Sequence, residues 1–494
     1  MKNIYILASS PSDLTEMIDL ADSLIQKDNQ VTLAYFNEGG LLALDPEIGA
    51  RIQAIQDSAV KVDAYILQPG DSLSDSITNT KSRLEKNGVL RACGYAALQV
   101  FRYLKSLVPK DKWNKSFLYK IFENIYLILI YRRNLRIFRA DLRRGRFDVV
   151  LVPEDIVGPV WPLLIRAAHE VGIPTLVFPY TLANQKEAVQ SLKSEPLFQT
   201  RNNRIAAWLF PRWRWHTDGL DLVRLPSGHI FAHELFGVSP PAPWLMNSGY
   251  ANAICVDSPA SYAYFANSGI PKSKLSVTGS VSQDHLHAQK AIKTEALAAL
   301  AASLGLVGDK PLLLISGCPN QLAGKVPYCE FSSIEEVAHH LGQALAPLRD
   351  EYHIVLRPHP NYLQFGELMR SFGVISTLIP TSRLVPLSDL FIGFASATIR
   401  WAIACAVPTV NYDIFHYGYD DFGNADGVVT LTESTAFTSI LSSLKPADAR
   451  YADLKMKIEQ NSKFWSYLDG GSVGRIQAAI EFECGKKPSV RTTS

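Results

Sequence analysis

The chain has 494 residues, 47% apolar and 19% charged, with a formal net charge of +2. That length exceeds a single hydrophobic core and calls for two domains of about 200 to 250 residues. The apolar content excludes global disorder, and the near-zero charge excludes a chain that binds nucleic acid by bulk composition. In chain order, Asn3–Ala8 reads as a short buried strand, since one Lys and so brief an apolar run make a poor signal segment. Leu14, Met17, Ile18, Ala21, Leu24 and Ile25 follow at helical spacing. Gln30–Phe36 is a second strand, Asp45-Pro46-Glu47 opens a helix, and Val62–Leu67 is a third strand. A long, basic, aromatic-rich helical stretch over 87–146 interrupts this rhythm. It resumes with strands at 148–152, 175–178 and 252–256 and a helix over 160–171. A second irregular insertion, RNNRIAAWLFPRWRWH (201–216), holds three Trp and four Arg in sixteen residues.

A second alternating series begins after Gly279. Strands are expected at 312–315, 353–356, 390–393, 409–411 and 428–431, with helices over 334–348 and 397–404 and two more at the C-terminus. Strand–helix alternation predicts parallel sheets covered by helices on both faces, so the chain reads as two doubly wound α/β units. The expected division is residues 1–280, with insertions at about 87–146 and 185–248, then 281–470, then a helix and flexible tail over 471–494. In such units ligands bind at the carboxyl ends of the strands, and two facing units share a cleft. Six widely spaced cysteines with no CxxC pair argue against disulfides or zinc and for a reducing compartment.

Three strand-ending loops of the second unit carry polar groups. Ser316-Gly317 lets a ligand approach the backbone closely. In Arg357-Pro358-His359-Pro360 the prolines stiffen the loop that presents His359. Ser396 and Thr398 open a helix whose N–H groups and dipole suit a phosphate. Each has an ordinary alternative, His359 as a structural hydrogen-bonder and Ser396 as a helix cap. Their order on successive strand–helix units makes the joint signal stronger.

RPHP followed by PLSDLFIGFASATIRWAIACAVPTVNYD resembles the C-terminal half of bacterial surface-polysaccharide transferases. These include CMP-sialic acid and polysialic acid transferases, β-Kdo transferases and CDP-glycerol transferases. The resemblance covers roughly 250–430 and reaches the first half only by rhythm. It implies a metal-independent GT-B glycosyltransferase with two Rossmann-like domains, a nucleotide-sugar donor and no resident cofactor. His359, Pro360, Ser396 and Thr398 would hold a cytidine nucleotide, with Ala397 standing where the motif often has a second Ser. Ser316, Gly317 and Arg357 would complete that site, and Asp413 would meet a ribose hydroxyl or the sugar.

In the first half, Glu154 and Asp155 end a strand in a loop similar to the acidic loop of sialyltransferase-like enzymes. A carboxylate there can take a proton from an acceptor hydroxyl, or merely cap the next helix. With both roles filled, Glu154 is the base and Asp155 the cap. Asp257 ends another strand and is either a nucleophile, as retaining β-Kdo transferases need, or the N-cap of the helix at Ser258-Pro259. Asp284 is a weaker candidate. From Phe101 to Phe147 thirteen Lys/Arg face three acids, with aromatics between them. With Trp213 and Trp215, this segment is expected to lie on an anionic membrane surface, or else to pack on the domain. The expected function is transfer of a Kdo- or sialic-type sugar from CMP to a glycan or glycolipid, in the cytoplasm and peripheral to the inner membrane, without nucleic acid. The alternatives are a CDP-glycerol or CDP-ribitol phosphotransferase, a UDP-sugar epimerase and a non-catalytic sugar-nucleotide-binding protein.

Overall fold

The computed structural model describes residues 1–36, 62–67, 117–180, 182, 185–193, 200–217, 219–318, 329–359, 362–419, 421–423 and 425–486. The helix start at Asp45, residues 87–116 of the basic insertion, Pro360 and the tail after 486 lie outside the described residues.

The N-terminal sheet contains β1 (Asn3–Ala8), β2 (Gln30–Phe36), β3 (Val62–Leu67), β4 (Val149–Val152) and β5 (Thr175–Val177). A hairpin of β6 (Arg214–Thr217) and β7 (Leu220–Val223) lies apart, and β8 (Ala253–Val256) and β9 (Leu275–Val277) complete the sheet. Its order is β3-β2-β1-β4-β5-β8-β9, and every pairing is parallel. The second sheet has β10 (Leu312–Ser316), β11 (His353–Arg357), β12 (Ile375–Ser376), β13 (Leu390–Gly393), β14 (Thr409–Tyr412) and β15 (Val428–Leu431). These run β12-β11-β10-β13-β14-β15, again all parallel. Helices cover both faces, so the inner strands are continuous apolar runs such as Leu312–Ile315, buried throughout. The strand order reverses direction between β1 and β4 in one sheet and between β10 and β13 in the other. Chain connections leave those two points toward opposite sides and open a crevice at each.

The sequence locates the major strands to within a residue or so. It misses β9 and β12 and the β6–β7 hairpin, because runs of two to four residues carry too little periodicity to stand out. The helix expected over 397–404 begins only at Ile399. Ala395 adopts a left-handed backbone, φ 46°, and the Thr398 N–H turns back to Ser396 Oγ at 3.3 Å.

The described part of the basic insertion is one helix, Phe117–Gly145. Tyr131, Leu135, Phe138 and Leu142 recur on one face and are buried, packed with the helices Trp161–Glu170 and Ser227–Leu235. The packing alternative therefore holds for that face. Trp213 is fully buried and donates its indole N–H to Glu234 Oε1 at 2.8 Å. Trp215 is half-buried against Trp244, ring centroids 5.7 Å apart. The expectation that Trp213 meets a membrane is corrected: it lies just before the hairpin and packs with Ala206, Ala207, Val223 and Ile230, where a large aromatic surface gains most from burial.

The last helix, Ser472–Gly485, returns to the first domain. Ile476 and Ile480 enter the core made with β1, β4 and β8, and Asn29 Nδ2 donates to Gln477 Oε1 at 2.8 Å. Asp284 accepts the N–H groups of Ser472 and Val473, both at 3.0 Å. It thus satisfies the open start of this helix and is not a group of the cleft. Among the described residues no helix is long and apolar enough to cross a membrane.

Candidate nucleotide and acid–base site

At the carboxyl ends of β10 and β13 three hydroxyls meet. Ser396 Oγ and Thr398 Oγ1 share a hydrogen bond of 2.9 Å, and Thr398 Oγ1 donates to Ser316 Oγ at 3.4 Å. The Ala395 N–H donates to Asn411 Oδ1 at 2.9 Å, which anchors the left-handed turn that aims them. The helix expected to offer free N–H groups here does not. Ile399, Arg400 and Trp401 already donate to the carbonyls of Ser396, Ala397 and Thr398. An anion at this point would meet hydroxyl donors.

Gly317 extends the cluster toward β11. Its N–H donates to Arg357 O at 2.8 Å, and a Cβ would stand 3.0 Å from both the His359 N and the Pro358 Cα. Only a glycine lets the two loops touch backbone to backbone. The Arg357 Nη1 donates to Pro358 O at 2.6 Å and stiffens the turn. Burial, and then the Arg357 cation beside it, hold His359 below the usual imidazole range, so it is neutral near pH 7. Ser316, Gly317, Arg357, His359, Ser396 and Thr398 are thus brought together. Asp413 is not offered to a ligand. Its carboxylate accepts the N–H groups of Tyr417 at 3.0 Å and Gly418 at 2.8 Å and folds its own loop.

At the other crevice, β1 ends in Ser9-Ser10 and β4 in Pro153-Glu154. Ser10 caps the helix Pro11–Ile25, and Asp13 returns the bond to the Ser10 N–H at 2.7 Å, a reciprocal capping box. Asp13 is buried, and its carboxyl is raised by that burial. Glu154 faces it across the crevice and accepts the Trp161 indole N–H at 2.9 Å. Burial first, and then the like charge of Asp13, push Glu154 up to about 7, although the Trp161 bond opposes them. A carboxyl that is half ionised near pH 7 suits proton transfer. Asp155 points away from this group. Its N–H donates to Asn247 Oδ1 at 2.7 Å, and its carboxylate accepts from the Ala251 N–H at 2.9 Å. Burial raises it to about 6. It does not cap the next helix, which starts at Trp161 after Val160.

Arg400 joins the two crevices. Two residues past Thr398, it is buried and donates to Asp257 Oδ2 at 2.6 Å and to Tyr180 O at 2.5 Å. The hydroxyls of Ser258 and Ser261 donate to Asp257 Oδ1. Both oxygens of Asp257 are therefore occupied, and Ser258, not Asp257, caps the helix Pro259–Asn267. Tyr180 shares a hydrogen bond with Ser10 and feels the charge of Glu154, so Arg400 reaches the residue that borders the Glu154 crevice. The sequence reading missed Asp13, Tyr180 and Arg400. Ser10-Pro11-Ser12-Asp13 carries a capping-box spacing, and Arg400 is the one cation in the apolar run Ile399–Ala404. Both are signals of a kind, but neither points to a partner.

No family model matches the chain, and no curated protein sequence matches it. Solved structures do. UDP-GlcNAc 2-epimerase from Neisseria meningitidis bound to UDP-GlcNAc aligns over 98% of this chain and 100% of its own, at a TM-score of 0.51 and 12% identity. CalG4, the calicheamicin glycosyltransferase, aligns over 98% and 99% at 0.52 and 14% identity. A putative UDP-N-acetylglucosamine 2-epimerase from Listeria monocytogenes aligns over 99% and 98% at 0.51 and 13% identity. At these identities the likeness is one of architecture: this chain has the GT-B fold, two Rossmann-like parallel sheets about a central cleft.

Proposed function

We propose that the protein is a metal-independent glycosyltransferase. It moves a Kdo- or sialic-type sugar from its CMP-activated form to a glycan or glycolipid acceptor in surface-polysaccharide synthesis. The observation that carries this reading is the pairing of two groups across one cleft. The clustered hydroxyls of Ser316, Ser396 and Thr398, with His359 on the neighbouring strand end, would hold a nucleotide phosphate. A carboxylate at about 7, Glu154, stands at the opposite switch point. Glu154 takes the proton of an acceptor hydroxyl as that oxygen attacks the anomeric carbon, and CMP leaves with the electron pair of the broken C–O bond. The hydroxyls and His359 stabilise the departing phosphate. Occupation of both Asp257 oxygens by Arg400 and two serines favours this single displacement, with inversion, over a covalent intermediate on Asp257. NMR of the product linkage checks it, and a retained configuration would restore Asp257 as a nucleophile. The enzyme would work against a membrane surface.

CMP should stabilise the protein more than UDP does, and at a hundred times its dissociation constant it should add about 2.7 kcal/mol to the unliganded stability. UDP-GlcNAc, bound in the Neisseria epimerase, is the competing ligand. A larger thermal shift with UDP, together with epimerisation of UDP-GlcNAc, would replace the transferase reading with the epimerase one. His359→Ala should weaken CMP binding by ~1.5–3 kcal/mol, the worth of a hydrogen bond to a charged group, with the melting temperature nearly unchanged. An unaltered CMP dissociation constant by calorimetry would make His359 structural.

A further inference from the structure

The helix Arg201–Leu209 is folded inside out. A surface helix ordinarily buries its large apolar stripe and exposes its polar one. Here Asn203, Ala206 and Ala207 face inward, and the two alanines pack on Trp213, Val223 and Ile230. Arg201, Arg204, Ile205, Trp208 and Leu209 face outward at helical spacing. Trp208 is 73% exposed, Leu209 50% and Ile205 46%. A second exposed apolar set adjoins it. The Ser227 N–H donates to Asn203 Oδ1 at 2.8 Å, and Ser227 Oγ donates to Asn124 Oδ1 at 3.3 Å. One serine therefore ties this helix to the start of Phe117–Gly145, where Ile121, Ile125 and Tyr126 are exposed.

We propose that this face docks on an anionic lipid bilayer. Ile205, Trp208 and Leu209 enter the boundary between headgroups and acyl chains, and Arg201 and Arg204 meet lipid phosphates. Charge argues for that occupant. Arg201 and Arg204 are the only charged residues of this helix and both are exposed beside the apolar stripe, whereas Arg212 and Arg214 further on are paired with Glu234 and Asp221. Area argues against a second copy of the chain. A nine-residue helix is about 14 Å long and about 10 Å wide, a small part of the roughly 800 Å² per partner that a stable protein interface buries. A bilayer needs only a few inserted side chains and nearby cations. The proposal deepens the membrane setting of the proposed function and depends on neither its donor nor its reaction, so its failure would remove that setting and leave the transferase chemistry untouched.

Flotation of the full chain with vesicles of phosphatidylcholine containing one-third phosphatidylglycerol tests it. Binding should be strong on these vesicles, weak on pure phosphatidylcholine, and reduced by high salt. Arg201→Gln and Arg204→Gln should each weaken it about fivefold, the effect of one cation at an anionic surface. Trp208→Ser should weaken it at least as much, and Trp208→Phe should restore most of it. Because these side chains point into solvent, melting temperature and CMP binding should not move. Absence of binding to the anionic vesicles, or equal binding to neutral ones, overturns the proposal. So does a wild-type dimer in sedimentation that Trp208→Ser converts to monomer, since the face would then join two copies.

Discussion

Glu154→Gln is expected to lower turnover about 100- to 10,000-fold, the usual contribution of a positioned general base, while leaving CMP affinity intact. The same substitution should stabilise the protein. The carboxyl stands near 7 in the fold against a reference of 4.5, so the folded state binds more protons than the unfolded chain between those values. Stability conferred on wild type by a protonated Glu154 is present at low pH and is lost as pH rises through about 7. Above that pH the buried, like-charged carboxylate costs roughly 3 kcal/mol, which an uncharged Gln does not incur. Thermal unfolding should show variant and wild type close together at pH 5 and the variant more stable at pH 8. In parallel, wild-type kcat/KM should climb through about pH 7, and the variant should lack that limb. Near-wild-type turnover in Glu154→Gln would remove the base assignment. A stability gap that does not open with pH would show that the carboxyl is not held up as described.

Arg400→Ala should destabilise the protein by about 3–5 kcal/mol, because it leaves Asp257 buried without its cation. It also cuts the tie between the Ser396–Thr398 turn and Tyr180 O, so turnover should fall by more than the loss of folded protein explains. Arg400→Lys should rescue little, since a single ammonium on a flexible stem does not reproduce the fork that reaches Asp257 and the carbonyl together. The pair Arg400→Met with Asp257→Leu separates the two contributions. Apolar replacement of a buried ion pair commonly restores stability, so denaturant unfolding should recover most of the loss while turnover stays low. Recovery of turnover along with stability would reduce Arg400 to a packing residue, and an unchanged unfolding midpoint in Arg400→Ala would show that it anchors nothing.

Both residues show how differently parts of this site could be read. Glu154, Ser316, Ser396, Thr398 and His359 each end a strand or open a helix, so local pattern places them at the cleft rim. Asp13 sits at an equally legible capping box, but its neighbour Glu154 is 141 positions away, and nothing in either segment announces the repulsion between them. Asp155 and Asp413 look as exposed to the cleft as Glu154 does. Only the loops that fold back on them, at Ala251 and at Tyr417 and Gly418, show that their oxygens are already used. Trp208, Trp213 and Trp215 are alike in composition, yet the turn before the hairpin buries Trp213 and the helix Arg201–Leu209 leaves Trp208 in solvent.

Local sequence dictates the longer strands, the helices that cover them and therefore two doubly wound sheets, because burial on both faces writes continuous apolar runs into local segments. It also determined which loops end at the cleft, since chain direction alone sets that. Strand order, the two switch points and the Arg400–Asp257 bridge were decided by tertiary structure. Each depends on pairings between segments far apart in the chain, and those energies leave no period in the residues on either side.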